Sequence, residues 1–170
     1  MSKLITHCGI IILLLGAIAC VNHNGTFEEM LASMYYNTVP LVKADSMQMV
    51  LVENSAFIIL DTRPQREYEV AHLPNAKRVG YKDFDINKLS YLDKDQKILV
   101  YCSVGYRSER VGEQLQEEGF TQVYNLYGGI FDWKNKGYIV HNANQLPTDT
   151  VHAYSQKWGK WLKNGVKVYE

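Results

Sequence analysis

The sequence predicts an α/β domain in which helices cover both faces of an open, mainly parallel sheet. Two short runs, 56–61 and 97–102, are continuously apolar and rich in Ile, Leu and Val, which is typical of parallel strands buried on both faces. Stretches with helical spacing separate and follow these runs, and such alternation is typical of α/β domains. The 170 residues are enough for one domain with a sizeable core.

The predicted helices and strands follow one another along the chain with short connections. The helices are 27–36, 43–54, 64–72, 107–119 and a short one within 128–137. The strands are 56–61, 97–102 and 121–126, preceded by the short stretch "VPLV" at 39–42. In the helix 107–119, Val111 and Leu115 lie four residues apart on one face, and Gly119 is a typical C-terminal stop.

The first residues of the chain have the layout of a secretory signal. Residues 1–19 contain a basic residue, an apolar run and small residues before Cys20. We interpret them as a lipoprotein-type signal peptide with Cys20 as the lipidated residue; an ordinary signal peptide and a retained anchor are the alternatives. This interpretation predicts an exported protein of the bacterial cell envelope, held on the periplasmic side of a membrane by its lipid anchor.

The chain divides into four predicted segments. They are a signal peptide at 1–19, a tether and N-terminal helix at 20–38, the core domain at 39–140, and a C-terminal helical extension at 141–170. The extension is predicted to be helical because Tyr154, Trp158, Trp161 and Leu162 recur at helical spacing. We expect it to pack on the apolar surface of the domain; a lid or docking surface near the functional site is the alternative.

Charge and composition exclude several classes of function. The chain has 18 Lys+Arg and 18 Asp+Glu with no basic block, so it lacks the charge pattern of a nucleic-acid-binding protein. The five His residues show no metal-ligand spacing, and no metal site is predicted. No pattern specifies an oligomeric state. Loss of residues 1–19 and lipidation of Cys20 would leave Cys102 without a disulfide partner.

Cys102 is the candidate nucleophile. It ends the strand 97–102 and precedes the helix 107–119, at the carboxyl edge where open α/β sheets place their sites. The N–H groups of the loop and the positive end of the helix favour a thiolate. Gly105 allows the loop to curl with its amides inward, and Arg107 offers donors to an anionic group. The alternative is an inert thiol in the core.

Three stretches carry more specific motifs. They are "ILDTRPQREYEVAHLPNAKRV" (59–79), "CSVGYRS" (102–108) and "YNLYGGIFDWKNKGYIV" (124–140). Together they make the chain from about 39 to 140 resemble a single-domain rhodanese, a persulfide-forming sulfurtransferase. The residues that match the first signature of that family are Asp61, Arg63, Glu67, Tyr68 and His72.

The resemblance implies a rhodanese-like fold and a two-step sulfur transfer. Cys102 attacks the outer sulfur of a small donor (thiosulfate or a persulfide), and its persulfide then passes sulfur to cyanide, a thiol or a protein cysteine. The residues implied to bind substrate and persulfide are Ser103, Val104, Gly105, Tyr106, Arg107 and Ser108. Asp61, Arg63 and His72 are implied to support them by holding the strand end and loops. No cofactor is implied beyond the covalent persulfide.

The loop departs from related patterns in length and charge. From Cys102 to Arg107 it spans six residues, one fewer than in arsenate reductases and dual-specificity phosphatases of similar fold, and it suits a sulfur atom better than a tetrahedral oxyanion. Thiosulfate-using rhodaneses often have basic residues where this chain has Ser103 and Val104, and their absence weakens the case for thiosulfate. Val104 and Tyr106 instead favour an apolar or protein-borne donor. A phosphatase-like enzyme and a non-enzymatic redox-sensing or binding module are the alternative functions.

Overall fold

The computed structural model describes residues 25–52 and 56–169, and their centre is an open, five-stranded parallel sheet. Its strands are β1 (Leu41–Val42), β2 (Ile58–Asp61), β3 (Lys77–Arg78), β4 (Ile98–Tyr101) and β5 (Val123–Leu126). Their order across the sheet is β1-β5-β4-β2-β3, and every pairing is parallel. The predicted α/β class is therefore confirmed.

Helices precede or connect these strands close to their predicted positions. They are α1 (Phe27–Met34), α2 (Ala44–Val52), α3 (Gln65–Val70), α4 (Tyr106–Glu117) and α5 (Gly129–Asn135), with a 3₁₀ turn at Ile86–Leu89. α1 begins with a capping box, in which the Thr26 hydroxyl accepts from the Glu29 N–H and the Glu29 carboxylate accepts from the Thr26 N–H. α4 ends before Gly119, whose φ of 95° confirms the predicted stop.

The core lies on both faces of the sheet. Successive residues of a strand point to opposite faces, and β4 alternates accordingly between two clusters of apolar side chains. Leu99 and Tyr101 pack on the side of α5, whereas Ile98 and Val100 pack on the side of α4, and all four are completely buried. Helices therefore cover both faces, as the continuous apolar runs predict.

The C-terminal extension is mostly strand and turn, so the prediction of a helix over 141–170 is wrong. Its elements are β6 (Val140–His141), β7 (Pro147–Thr148), β8 (Thr150–His152), the four-residue α6 (Gln156–Gly159) and β9 (Val166–Val168). β8 pairs with β9 in parallel, and β6 pairs with β7 antiparallel.

Local residue preferences explain this difference. β-Branched residues dominate β8 and β9, and such residues favour strands. Gly165 has a φ of 101°, a left-handed conformation that turns the chain between α6 and β9. The extension nevertheless packs on the domain, because Leu162 is fully buried and the ring of Trp161 lies 5.6 Å from that of Phe27.

The predicted signal peptide, Cys20 and most of the tether lie outside the described residues. Within residues 25–52 and 56–169, none of the helices combines the length and the apolar character that crossing a membrane requires.

Candidate active site

Cys102 lies at the carboxyl end of β4, at the bottom of a pocket of about 230 Å³. The thiol is almost completely buried, with 1% of the residue exposed. The residues that line the pocket are Met34, Cys102, Ser103, Val104, Tyr106, Arg107, Tyr154 and Trp158. Segments from α1, from the loop after β4 and from the C-terminal extension therefore enclose the predicted nucleophile.

The loop after Cys102 curls so that its amides approach the sulfur. The Gly105 N–H donates to Cys102 Sγ over 3.1 Å, and Gly105 has a φ of 98°, which favours glycine. The Gly105 carbonyl accepts from Asn125 Nδ2 at 2.9 Å and from Ser108 Oγ at 3.1 Å. These two bonds fix the peptide that follows Gly105, on the side away from the N–H that faces the sulfur.

Tyr35, just after α1, holds the same loop from the opposite side. Its hydroxyl donates to the Val104 carbonyl at 2.5 Å and accepts from the Gly128 N–H at 2.9 Å. Burial raises the pKa of Tyr35, so the hydroxyl keeps the proton that it donates. A Cβ on Gly105 would lie 2.2 Å from this hydroxyl. Glycine is thus required at 105 for space as well as for conformation.

The first turn of α5 packs directly on the backbone of the loop. The Ile130 N–H donates to the Cys102 carbonyl at 3.0 Å, and the Phe131 N–H donates to the Ser103 carbonyl at 3.1 Å. A Cβ on Gly129 would lie 2.3 Å from the Cys102 carbonyl oxygen. The glycine pair in "YGGIF" therefore allows α5 to approach the peptide of Cys102 closely.

The surroundings of Cys102 stabilise its thiolate. Burial is the largest single influence and acts to raise the pKa, but the charge of Arg107 and the N–H groups of Ser108, Val104 and Gly105 together lower it below the ordinary value of a thiol. The start of α4 adds its partial positive charge in the same direction. A nucleophilic sulfur is the expected result.

Arg107 is bound to a buried carboxylate as well as lying beside the thiol. Its Nη1 and Nη2 donate to the two Glu67 oxygens at 3.1 and 3.0 Å, and Nη2 also donates to Ser103 Oγ at 2.9 Å. Ser103 Oγ in turn donates to Glu67 Oε2 at 3.0 Å. Because Glu67 is fully buried in α3, this bidentate pair fixes the plane of the guanidinium.

The three residues predicted to support the site act at a distance from its pocket. Asp61 and Arg63 form a buried ion pair at 2.6 Å, and Arg63 also donates to the Ala71 carbonyl. The His72 ring is stacked on Tyr68, with centroids 4.1 Å apart, and is bonded to the Tyr68 carbonyl. None of the three lines the pocket. The bonds of Arg63 join the end of β2 to the residue that follows α3.

Several residues of the site were not predicted to belong to it. Glu67 lies in the motif 59–79 but is absent from the predicted site, although its pairing with Arg107 ties α3 to the loop. Asn125 lies within the predicted strand 121–126, and no motif indicated that it contacts the loop. Met34 and Tyr35 belong to the predicted helix 27–36, where apolar spacing indicates only packing. Among the described residues, no group of three or more His, Cys, Asp or Glu is placed to hold a metal ion.

Comparisons with known proteins give consistent matches. A family profile for the rhodanese-like domain matches residues 46–136. The thiosulfate sulfurtransferase GlpE of Coxiella burnetii is 37% identical over 84 residues, which are 49% of this chain and 78% of that protein. A tRNA uridine(34) hydroxylase of Buchnera aphidicola is 32% identical over 109 residues, covering 61% of this chain and 33% of its own. The solution structure of a rhodanese-like domain from Anabaena sp. superimposes with a TM-score of 0.57 at 28% identity, covering 61% of this chain and 79% of that one.

Proposed function

Since the chain belongs to the rhodanese-like domain family, we propose that it is a sulfurtransferase that carries sulfane sulfur as a persulfide on Cys102. The observation that supports this proposal best is the position of Cys102 Sγ. The sulfur borders a pocket, accepts a hydrogen bond from the Gly105 N–H and lies beside Arg107. The pKa of the Cys102 thiol is lowered. These are the requirements for a nucleophile that must also carry an anionic sulfur.

The first step loads the enzyme. The Cys102 thiolate attacks the outer sulfur of the donor, so one S–S bond forms while the donor's own bond to that sulfur breaks. With thiosulfate the products are the Cys102 persulfide anion and sulfite, and with a hydropersulfide R–S–SH they are the protonated persulfide and R–S⁻. The charge of Arg107 and the N–H groups around the sulfur stabilise the negative charge.

The second step returns the thiolate. A nucleophilic acceptor such as cyanide, a thiol or a protein cysteine attacks the outer sulfur of the persulfide, and Cys102 leaves as the thiolate. The leaving group is the Cys102 thiolate, which the loop stabilises. The lowered pKa of Cys102 therefore supports this step as well as the first. The scheme needs no metal or organic cofactor.

The proposal is tested with the purified protein and several donors. The protein is incubated with each donor in turn, thiosulfate and glutathione persulfide among them. For at least one donor, intact-mass measurement should show an adduct with the mass of one sulfur atom, and addition of cyanide should then release thiocyanate. Cys102→Ser should show neither. If no donor produces an adduct that depends on Cys102, the proposal is wrong. Reversible oxidation of Cys102 without transfer would instead favour a redox-sensing module, and hydrolysis of an aryl phosphate that is lost in Cys102→Ser would favour a phosphatase.

We also propose that the protein works in the cell envelope, attached through lipid on Cys20. The layout of residues 1–19 is the only support for this proposal. Metabolic labelling with a fatty acid should give a labelled membrane protein, and Cys20→Ser should abolish the label. A protein that is unlabelled yet cleaved before or near Cys20 would contradict lipidation and leave an ordinary signal peptide.

A further inference from the structure

We infer that the sulfur donor is an organic compound that carries an apolar, ring-sized group and at most one negative charge, and that Tyr154 and Trp158 bind this group. The inference rests on the proposed sulfur transfer and narrows its substrate class. Thiosulfonates, R–SO₂–S⁻, and hydropersulfides with an apolar R group belong to the class. Thiosulfate, a dianion without an apolar part, does not.

The walls of the pocket are predominantly apolar. Met34, Val104, Tyr106, Tyr154 and Trp158 surround the opening above the thiol. The volume is about 230 Å³, whereas a cavity of about 150 Å³ is sufficient for a benzene ring. The pocket therefore has room for a ring in addition to the sulfur that is transferred.

The charge in the pocket is unfavourable for a dianion. Among the described residues, Arg107 is the only charged residue that lines the pocket. Both of its terminal nitrogens are already bonded to the Glu67 carboxylate. When Cys102 is a thiolate, the two negative groups outnumber the single positive one, so a doubly charged donor is repelled more strongly than a singly charged or neutral one.

The C-terminal extension places two aromatic rings at the mouth of the pocket. Tyr154 has a φ of 64° and is 45% exposed, and its ring centroid lies 5.6 Å from Arg107 Cζ. Such a backbone conformation is unusual for a tyrosine. Trp158 lies in α6, and together with Met34 it also borders a neighbouring cavity of about 330 Å³. An apolar group that extends beyond the first pocket would still contact Trp158.

The chemical step is the same as in the proposed function. The Cys102 thiolate attacks the terminal sulfur of R–SO₂–S⁻, the new S–S bond forms, and the sulfinate R–SO₂⁻ leaves with the electron pair of the broken bond. One negative charge remains on the persulfide and one on the sulfinate, so charge balances and no external oxidant or reductant is needed. Among thiosulfonate donors, only the R group differs.

Three donors separate the effects of charge and apolar contact. Thiosulfate and methanethiosulfonate differ by one negative charge, whereas methanethiosulfonate and benzenethiosulfonate have equal charge and differ in the ring. With saturating cyanide, the kcat/KM for benzenethiosulfonate should exceed that for methanethiosulfonate by about tenfold or more, the factor expected for burial of a phenyl group. Methanethiosulfonate should in turn exceed thiosulfate.

Variants at the mouth of the pocket test which residues bind the ring. Trp158→Leu and Tyr154→Asn should bring the benzene-to-methane ratio of kcat/KM toward one; Asn is chosen at 154 because it tolerates the left-handed backbone. Tyr91, which is 63% exposed and does not line this pocket, supplies the control Tyr91→Ala, which should keep the wild-type ratio. Trp158→Leu is expected to fold because the new side chain is also apolar, and Tyr154→Asn is expected to fold because position 154 is exposed.

The possible results distinguish this inference from the proposed function. The inference is wrong, while sulfur transfer stands, if the kcat/KM for thiosulfate equals or exceeds that for benzenethiosulfonate. The same holds if neither Trp158→Leu nor Tyr154→Asn lowers the benzene-to-methane ratio of kcat/KM. If none of the donors gives a persulfide on Cys102, both fail. A falling ratio in both variants, with the control unchanged, supports the inference.

Discussion

Replacing Tyr35 by Phe removes one hydroxyl group and leaves the rest of the ring in place. In the wild-type protein this hydroxyl satisfies two buried backbone groups, the Val104 carbonyl and the Gly128 N–H. A buried polar group that loses its partner costs about 1–3 kcal/mol. For the two groups together we therefore expect the free energy of unfolding to fall by about 2–6 kcal/mol. No further loss is expected from the ring, because it keeps its edge-on contact with Tyr127.

The effect should also reach the thiol. Tyr35 fixes the peptide between Val104 and Gly105, whose N–H lowers the pKa of Cys102. Losing this restraint should raise the pKa of the thiol and slow its reaction with iodoacetamide near neutral pH.

Urea unfolding and alkylation rates measure the two effects of Tyr35→Phe. With a slope of about 2 kcal/mol/M, the expected loss shifts the urea midpoint by roughly 1–3 M. The matched control is Tyr36→Phe, the same change at a neighbouring tyrosine that is 67% exposed, where a change within about 0.5 kcal/mol is expected. A loss below about 1 kcal/mol together with an unchanged thiol pKa would refute the role that we assign to Tyr35.

Three further predictions concern the same loop. Gly105→Ala should destabilise the fold by about 2 kcal/mol more than Gly119→Ala. Both glycines have φ near 95°, but only a Cβ at 105 would be crowded against Tyr35. Equal urea midpoints for the two variants would contradict this crowding. Arg107→Gln should raise the pKa of Cys102, because it removes the positive charge beside the thiolate, and alkylation rates as a function of pH would show the change. Folding lowers the pKa of Cys102, so the thiolate stabilises the wild type relative to Cys102→Ser at pH values above the unfolded thiol's pKa of about 8.5. This stabilisation should be lost as the pH falls through the pKa of the folded protein. A stability difference between the two proteins that is independent of pH would contradict the prediction.

Local patterns in the sequence predicted most of the central sheet and the place of Cys102 at the end of a strand. The apolar runs that became β2 and β4 are bounded by clear changes in composition, and the position of Cys102 between a strand and a helix follows from the same pattern. β3 was missed because Lys77 and Arg78 form a two-residue edge strand with no apolar run. Tertiary pairing with β2 decides its conformation.

The contacts that hold the loop around Cys102 were harder to predict because their partners are distant in sequence. Glu67 and Arg107 are 40 residues apart and Tyr35 and Val104 are 69 apart, and no local periodicity indicates either contact. In the C-terminal extension, helical spacing of aromatic residues was a weaker determinant than the β-branched residues of β8 and β9 and the left-handed turn at Gly165. Tyr154 and Trp158 reach the pocket from the segment between β8 and β9.

The short strand β1 has a consequence for any attempt to isolate the reactive part of this protein. It ends before residue 46, where the match to the family begins, yet its partner is β5, and the Asn125 N–H donates to the Pro40 carbonyl at 2.8 Å. The side chain of Asn125 holds the loop beside Cys102. A fragment trimmed to 46–136 would therefore expose the edge of β5 and leave the Asn125 N–H without the Pro40 carbonyl as its partner. A fragment that keeps the loop beside Cys102 fully supported must therefore be longer than the segment 46–136 that matches the family.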